Sequence, residues 1–96
     1  MTRDDVLSAL LQFRRSKEVD YSIARIGIFG SAARDEMTEE SDVDVVVELK
    51  YPDLFVLVGI KQDLEALLHR PVDVVRYRDR MNPLLKHRIQ KEAICV

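Results

Sequence analysis

Apolar residues near the start of the chain recur at helical spacing: Val6, Leu7, Leu10, Leu11 and Phe13 fall along one face. Thr2 followed by Asp5 has the form of a capping box, so a helix is expected from there until the charged segment Arg14 to Asp20. The period then shortens. Residues 23 to 29 (IARIGIF) and 43 to 49 (VDVVVEL) are apolar runs rich in β-branched side chains, expected as strands. Between them, Ser31 to about Glu36 reads as a short helix and Met37 to Ser41 as a polar loop. Pro52 suits the first turn of a third helix over about Asp53 to His69, with Leu57, Ile60, Leu64, Leu67 and Leu68 as its apolar positions. Pro71 resets the chain for a third strand, Val72 to Val75, and Asn82-Pro83 is a cap and first-turn pair for a fourth helix over residues 83 to 93. The order αβαβαβα, without internal repeats or linkers, predicts an α/β (α+β) fold with helices packed against one sheet.

Composition narrows the class. A chain of 96 residues fits one domain, spanning 1–96, and leaves no room for a second substrate-binding domain. Its formal net charge of -2 is poorly suited to gripping a nucleic-acid backbone, so no direct nucleic-acid contact is expected. Cys95 is the only cysteine, which excludes an intrachain disulfide and a cysteine metal cluster. No apolar stretch approaches a membrane span and the first residues lack a leader pattern, so no membrane role and a cytoplasmic location are expected.

The chemistry concentrates at strand edges. Side chains on a strand alternate, so Asp42, Asp44, Val46 and Glu48 share one side of the second strand, while Val43, Val45, Val47 and Leu49 form its core side. Asp42 and Asp44 then stand about 6.5–7 Å apart at the backbone, close enough for their oxygens to converge on divalent ions. Hard oxygen ligands of this kind suit magnesium, and no His or Cys spacing suggests zinc. Asp73 is a third aspartate inside an apolar strand. If that strand lies beside the second, Asp73 completes a three-carboxylate cluster and can serve as general base. Taken alone, Asp42 reads as a polar turn residue and Asp73 as an edge-strand charge that blocks unwanted pairing. Asp44, between valines, has the weakest such explanation.

Gly30-Ser31 ends the first strand. Gly30 permits a sharp strand-to-helix turn and close approach of a ligand, and Ser31 is expected to cap the following helix and to offer its hydroxyl to a phosphate. Arg34, one helical turn on, reads equally as a triphosphate ligand or as a solvated charge paired with a nearby acid. The pair Gly-Ser, ten residues, then Asp-x-Asp arises by chance about once in a thousand such chains at ordinary residue usage.

Gly30-Ser31, Asp42-Val43-Asp44 and Asp73, with Ala33-Arg34, resemble the nucleotidyltransferase superfamily of the polymerase β type. The small size resembles its minimal branch, the MntA-like antitoxins often paired with a HEPN-domain toxin. The resemblance covers nearly the whole chain. It implies a small mixed sheet of three to four strands flanked by helices, the nucleotidyltransferase fold. By the same resemblance, Gly30 and Ser31 hold nucleotide phosphates, Asp42 and Asp44 hold magnesium with Asp73 completing the set, and Asp73 helps activate the attacking hydroxyl. It further implies transfer of AMP from ATP to a tyrosine of a cognate HEPN RNase toxin, in a hetero-oligomer. A binding-only antitoxin that neutralises by occlusion, and a transferase acting on a small molecule, are the alternatives.

Leu54 to Val58 is apolar nearly all round, which reads as core plus either a partner surface or a face covered by neighbouring segments. His69 and His87 are expected in exposed or capping roles, Arg76, Arg78 and Arg80 in a solvated loop. Lys86, His87, Arg88 and Lys91 are expected to complement the dipole of the last helix.

Overall fold

A computed structural model describes all residues, 1–96. The elements are α1 (Arg3–Lys17), β1 (Ile23–Phe29), α2 (Gly30–Ala33), β2 (Val43–Leu49), α3 (Leu54–Leu68), β3 (Val72–Arg76), α4 (Pro83–Glu92) and β4 (Ile94–Cys95). They form one mixed sheet in the order β3-β2-β1-β4. β1 runs antiparallel to both β2 and β4, whereas β2 and β3 are parallel.

Local chemistry explains the helix limits. Thr2 accepts from the Asp5 amide while the Asp5 carboxylate accepts from the Thr2 amide, closing the expected capping box of α1. Asp53 caps α3 by accepting from Phe55 N at 2.8 Å, which puts Pro52 just outside the helix rather than in its first turn. α3 ends where His69 takes the left-handed conformation at φ 55, a helix stop that Pro71 then reinforces. Asn82 accepts from Leu84 N and Leu85 N and starts α4 as expected, with Pro83 in its first turn.

The two faces of the sheet are covered unequally. Val6, Leu10 and Phe13 of α1 and Ile60, Leu64 and Leu68 of α3 pack against Ile26, Ile28, Val43, Val45, Val47 and Val72. Each fully buried aliphatic side chain contributes roughly 1.5–3 kcal/mol, so this layer dominates stability. On the opposite face, α4 forms a smaller cluster in which Ile89 meets Phe29 and Val46. Val46 is thus buried although it shares a side of β2 with Asp44. The alternation correctly separates the faces, but it does not reveal that α4 covers the middle of the second one.

β4 was absent from the expected order. Two residues carry no periodicity, and the strand exists because Gly27 lacks a side chain: a Cβ there would lie 2.9 Å from Cys95 Cα. An isolated glycine within a strand marks such a close approach.

Leu64→Ala removes a fully buried side chain and should cost about 2–5 kcal/mol. Leu54→Ala, at a side chain left mostly exposed, should stay within about 0.5 kcal/mol. Urea denaturation of both variants checks the assignment, and equal costs would contradict it.

Candidate active site

Strand register gathers the motifs at one end of the sheet. Phe29, the last residue of β1, pairs with Asp44 in antiparallel β2, and Asp44 pairs with Asp73 in parallel β3. Adjacent strands lie about 4.8 Å apart, so Asp44 and Asp73 leave the same face one strand spacing from each other. Asp42 lies just before β2, and both it and Asp73 are exposed, whereas Asp44 is half-buried.

Gly30 turns the chain directly from β1 into α2 at φ +66, a left-handed conformation that side chains rarely adopt. A Cβ at this position would also collide with Asp44 Oδ2. Backbone conformation and space therefore demand glycine independently, and the collision shows that the Gly-Ser turn lies directly against the central aspartate.

The electrostatics of Asp44 are strained. Burial pushes its carboxyl above the ordinary value; Asp73 and Asp42 push it further, and Arg88 and Arg34 oppose them. No salt bridge within the chain reaches Asp42, Asp44 or Asp73. Nor do three carboxylates stand close enough to form a ready-made cation cage. The donor set nevertheless fits a hard divalent cation: all-oxygen, unpaired, and mutually repelling in a way that such an ion relieves.

Two expectations change. Ser31 does not cap α2: Phe29 occupies the cap position without a side-chain hydrogen bond, because the strand runs into the helix through Gly30 and leaves Ser31 inside its first turn. α2 is also only one turn long, ending at Ala33 with Asp35 left-handed at φ 58. Arg34 is held by carboxylates, with Nε 3.2 Å from Glu36 and Nη1 3.1 Å from Glu92.

Glu92 and Arg88 lie against the Gly30 turn, a placement that the sequence pattern missed. Gly30 N donates to Glu92 Oε2 at 3.1 Å, and Arg88 Nε lies 3.4 Å from the same oxygen. The i, i+4 spacing of Arg88 and Glu92 is visible in sequence, but their approach to Gly30 depends on where α4 crosses the sheet.

Comparison with known proteins bears on this site. The model of the nucleotidyltransferase domain family matches residues 7–96. A Methanocaldococcus jannaschii protein, named by inference as a protein adenylyltransferase, is 44% identical over 77 residues, covering 79% of this chain and 82% of its own. The protein adenylyltransferase MntA of Thermococcus cleftensis is 33% identical, covering 98% of this chain and 91% of its own. Among solved structures, a protein described as a minimal nucleotidyltransferase superposes with a TM-score of 0.80 at 33% identity, covering 98% of this chain and 95% of its own. A toxin–antitoxin structure with AMP-PNP gives 0.74 at 21% identity over 92% of this chain and 69% of its own. A tri-AMPylated Shewanella oneidensis HEPN toxin in complex with an MNT antitoxin gives 0.58 at 20% identity, over 88% and 69%. At these two lower identities the likeness shows the fold.

The raised pKa of Asp44 has a thermodynamic consequence. Its protonated form is favoured by folding, so this contribution is present below the ordinary 3.8 and is lost as pH rises through the raised value. At neutral pH the bare carboxylate is a net cost. Asp44→Asn should therefore raise Tm at pH 7, with a gain that shrinks towards pH 3. Thermal melts across that range check the sign, and a gain that grows on acidification would contradict it.

Proposed function

From membership of the nucleotidyltransferase domain family, to which this chain belongs, we propose a magnesium-dependent protein adenylyltransferase that acts as an antitoxin. It transfers AMP from ATP to a hydroxyl, a tyrosine, of a cognate HEPN-domain toxin. The observation that carries this reading is the contact of the Gly30 turn with Asp44, which joins a phosphate-binding turn to unpaired carboxylates. The names of the Methanocaldococcus and Thermococcus relatives support protein adenylylation, and the solved complexes with AMP-PNP and with an AMPylated HEPN toxin support ATP and the partner class.

Each residue has a role in this chemistry. Gly30 N–H and the Ser31 hydroxyl hold donor phosphates, with Arg34 as a cation beside them. Asp42 and Asp44, with Asp73, hold magnesium, which when bound neutralises charge on the donor phosphates and the leaving pyrophosphate. Asp73, exposed on an edge strand, takes the proton of the acceptor hydroxyl as its oxygen attacks the α-phosphorus and pyrophosphate leaves.

Presentation of the acceptor by another protein has its own support. Tyr51, Leu54 and Phe55 are largely exposed, so the apolar start of α3 is not covered by the rest of the chain. Beside it, Leu54, Leu57, Val74, Met81 and Leu85 line a groove of about 550 Å³ along the edge strand that carries Asp73. This same surface favours the second reading, neutralisation by occlusion alone.

Incubation of the chain with α-labelled ATP, magnesium and its co-expressed neighbour should label the neighbour. The double substitution Asp42→Asn and Asp44→Asn should cut labelling about a hundredfold or more while leaving complex formation intact. Label that survives the double substitution would sink the mechanism. Full protection from the toxin by the unlabelled complex, at equal dose, would favour occlusion.

A further inference from the structure

An internal carboxylate occupies the donors that this reading assigns to phosphate. α4 is anchored on the sheet through Ile89, which packs on Phe29 and Val46, and so brings Arg88 and Glu92, one helical turn apart, over the Gly30 turn. Glu92 Oε2 accepts from Gly30 N at 3.1 Å, both its oxygens accept from Arg34 Nη1 at 3.1 Å, and Arg88 Nε lies 3.4 Å away. Its side chain is 23% exposed, the least of any carboxylate paired in this chain. Partial burial pushes the Glu92 carboxyl up, but the Gly30 amide, Arg34 and Arg88 outweigh that and hold it below its ordinary value.

Arg88 is placed for more than this ion pair. Its guanidinium lies 5.9 Å over the Phe29 ring, and its Nη2 is 3.3 Å from the point where a Cβ on Gly30 would stand. It therefore faces the same space that the Gly30 turn shares with Asp44. Two guanidinium groups and a backbone amide around one anion form a cradle suited to phosphoryl oxygens, which guanidinium forks bind in pairs. A carboxylate brings one negative charge to that cradle, whereas a triphosphate brings several.

We infer that Arg88 binds the donor triphosphate together with Arg34, and that Glu92 is an internal competitor that holds these donors until nucleotide displaces it. The inference rests on the nucleotidyltransferase reading and extends it to α4, which then senses nucleotide directly. Glu92 bridges the two arginines and holds α4 seated while no nucleotide is bound. Displacement of its carboxylate frees the Gly30 amide, Arg88 and the Nη1 of Arg34 in one step, while Arg34 Nε stays on Glu36.

Equilibrium binding of ATP and of AMP, each with magnesium, to the full chain and its variants tests this. Arg88→Ala should weaken ATP binding about tenfold or more while changing AMP binding less than about threefold, since a charge-assisted hydrogen bond is worth roughly 1.5–3 kcal/mol. Arg88→Lys, which keeps the charge and loses the fork, should fall between wild type and Arg88→Ala. Glu92→Gln should tighten ATP binding about threefold to tenfold, because it removes the competing charge. Thermal melts of each variant establish that it is folded, and the two Arg88 variants carry the test if the Glu92 variant is not. ATP affinity unchanged in Arg88→Ala, or weakened in a folded Glu92→Gln, would overturn the inference and leave the nucleotidyltransferase reading standing. Failure of the wild type to bind ATP with magnesium would overturn both.

Discussion

The register in which Phe29 faces Asp44 and Asp44 faces Asp73 is the constraint on which the rest depends. It is set by the core rather than by the site. Ile26 and Ile28 of β1 and Val43, Val45 and Val47 of β2 all point into the layer beneath α1 and α3, and side chains on a strand alternate with period two. A slip of one residue would expose those valines and drive Asp44 into that layer without a partner, so the alternative is excluded at large cost. Apolar packing on one face thereby fixes, on the other, which carboxylates meet.

That arrangement opposes local stability. Asp44 is half-buried beside two further aspartates, and nothing within the chain pairs with any of the three. Strain of this kind persists where surrounding structure over-determines it, and here the sheet does so on both sides. The neighbouring arginines soften the field at Asp44, yet Arg34 and Arg88 are themselves engaged by Glu92. The site thus carries an excess of carboxylates, four against the two arginines, which a divalent cation would relieve and which a polyphosphate could approach only with such a cation.

Elements dominated by periodic apolar residues were legible from sequence. β1 and β2 have the expected limits, and α1 and α4 start at the caps their polar residues announce, whereas α3 starts after its cap Asp53 and leaves Pro52 outside. The adjacency of Asp73 to Asp44 was legible only on the condition that β3 lies beside β2, which the parallel pairing meets. What escaped was tertiary. β4 is too short to have a period and exists because Gly27 admits a backbone. Ser31 reads as a cap because serine favours that position, yet Gly30 itself begins α2. Arg88 and Glu92 read as an ordinary pair on an amphipathic helix, and only the seating of Ile89 against Phe29 aims them at the Gly30 turn. Local propensity carries no information about such a crossing.

Function in this account is divided between two surfaces of one small sheet. The carboxylate end is the proposed nucleotide site, while the apolar start of α3 and the groove beside β3 lie along the same edge strand and suit a partner that brings the acceptor. In the proposed function the Gly30 turn and the aspartates form one nucleotide site. The most direct measurement is a crystal structure of the chain grown with magnesium and a non-hydrolysable ATP analogue. Phosphate oxygens should lie on the Gly30 amide and the Ser31 hydroxyl and a metal ion on Asp42 and Asp44, with Glu92 withdrawn from Gly30. A nucleotide bound elsewhere, with Glu92 still on the Gly30 amide and no ion on the aspartates, would contradict it.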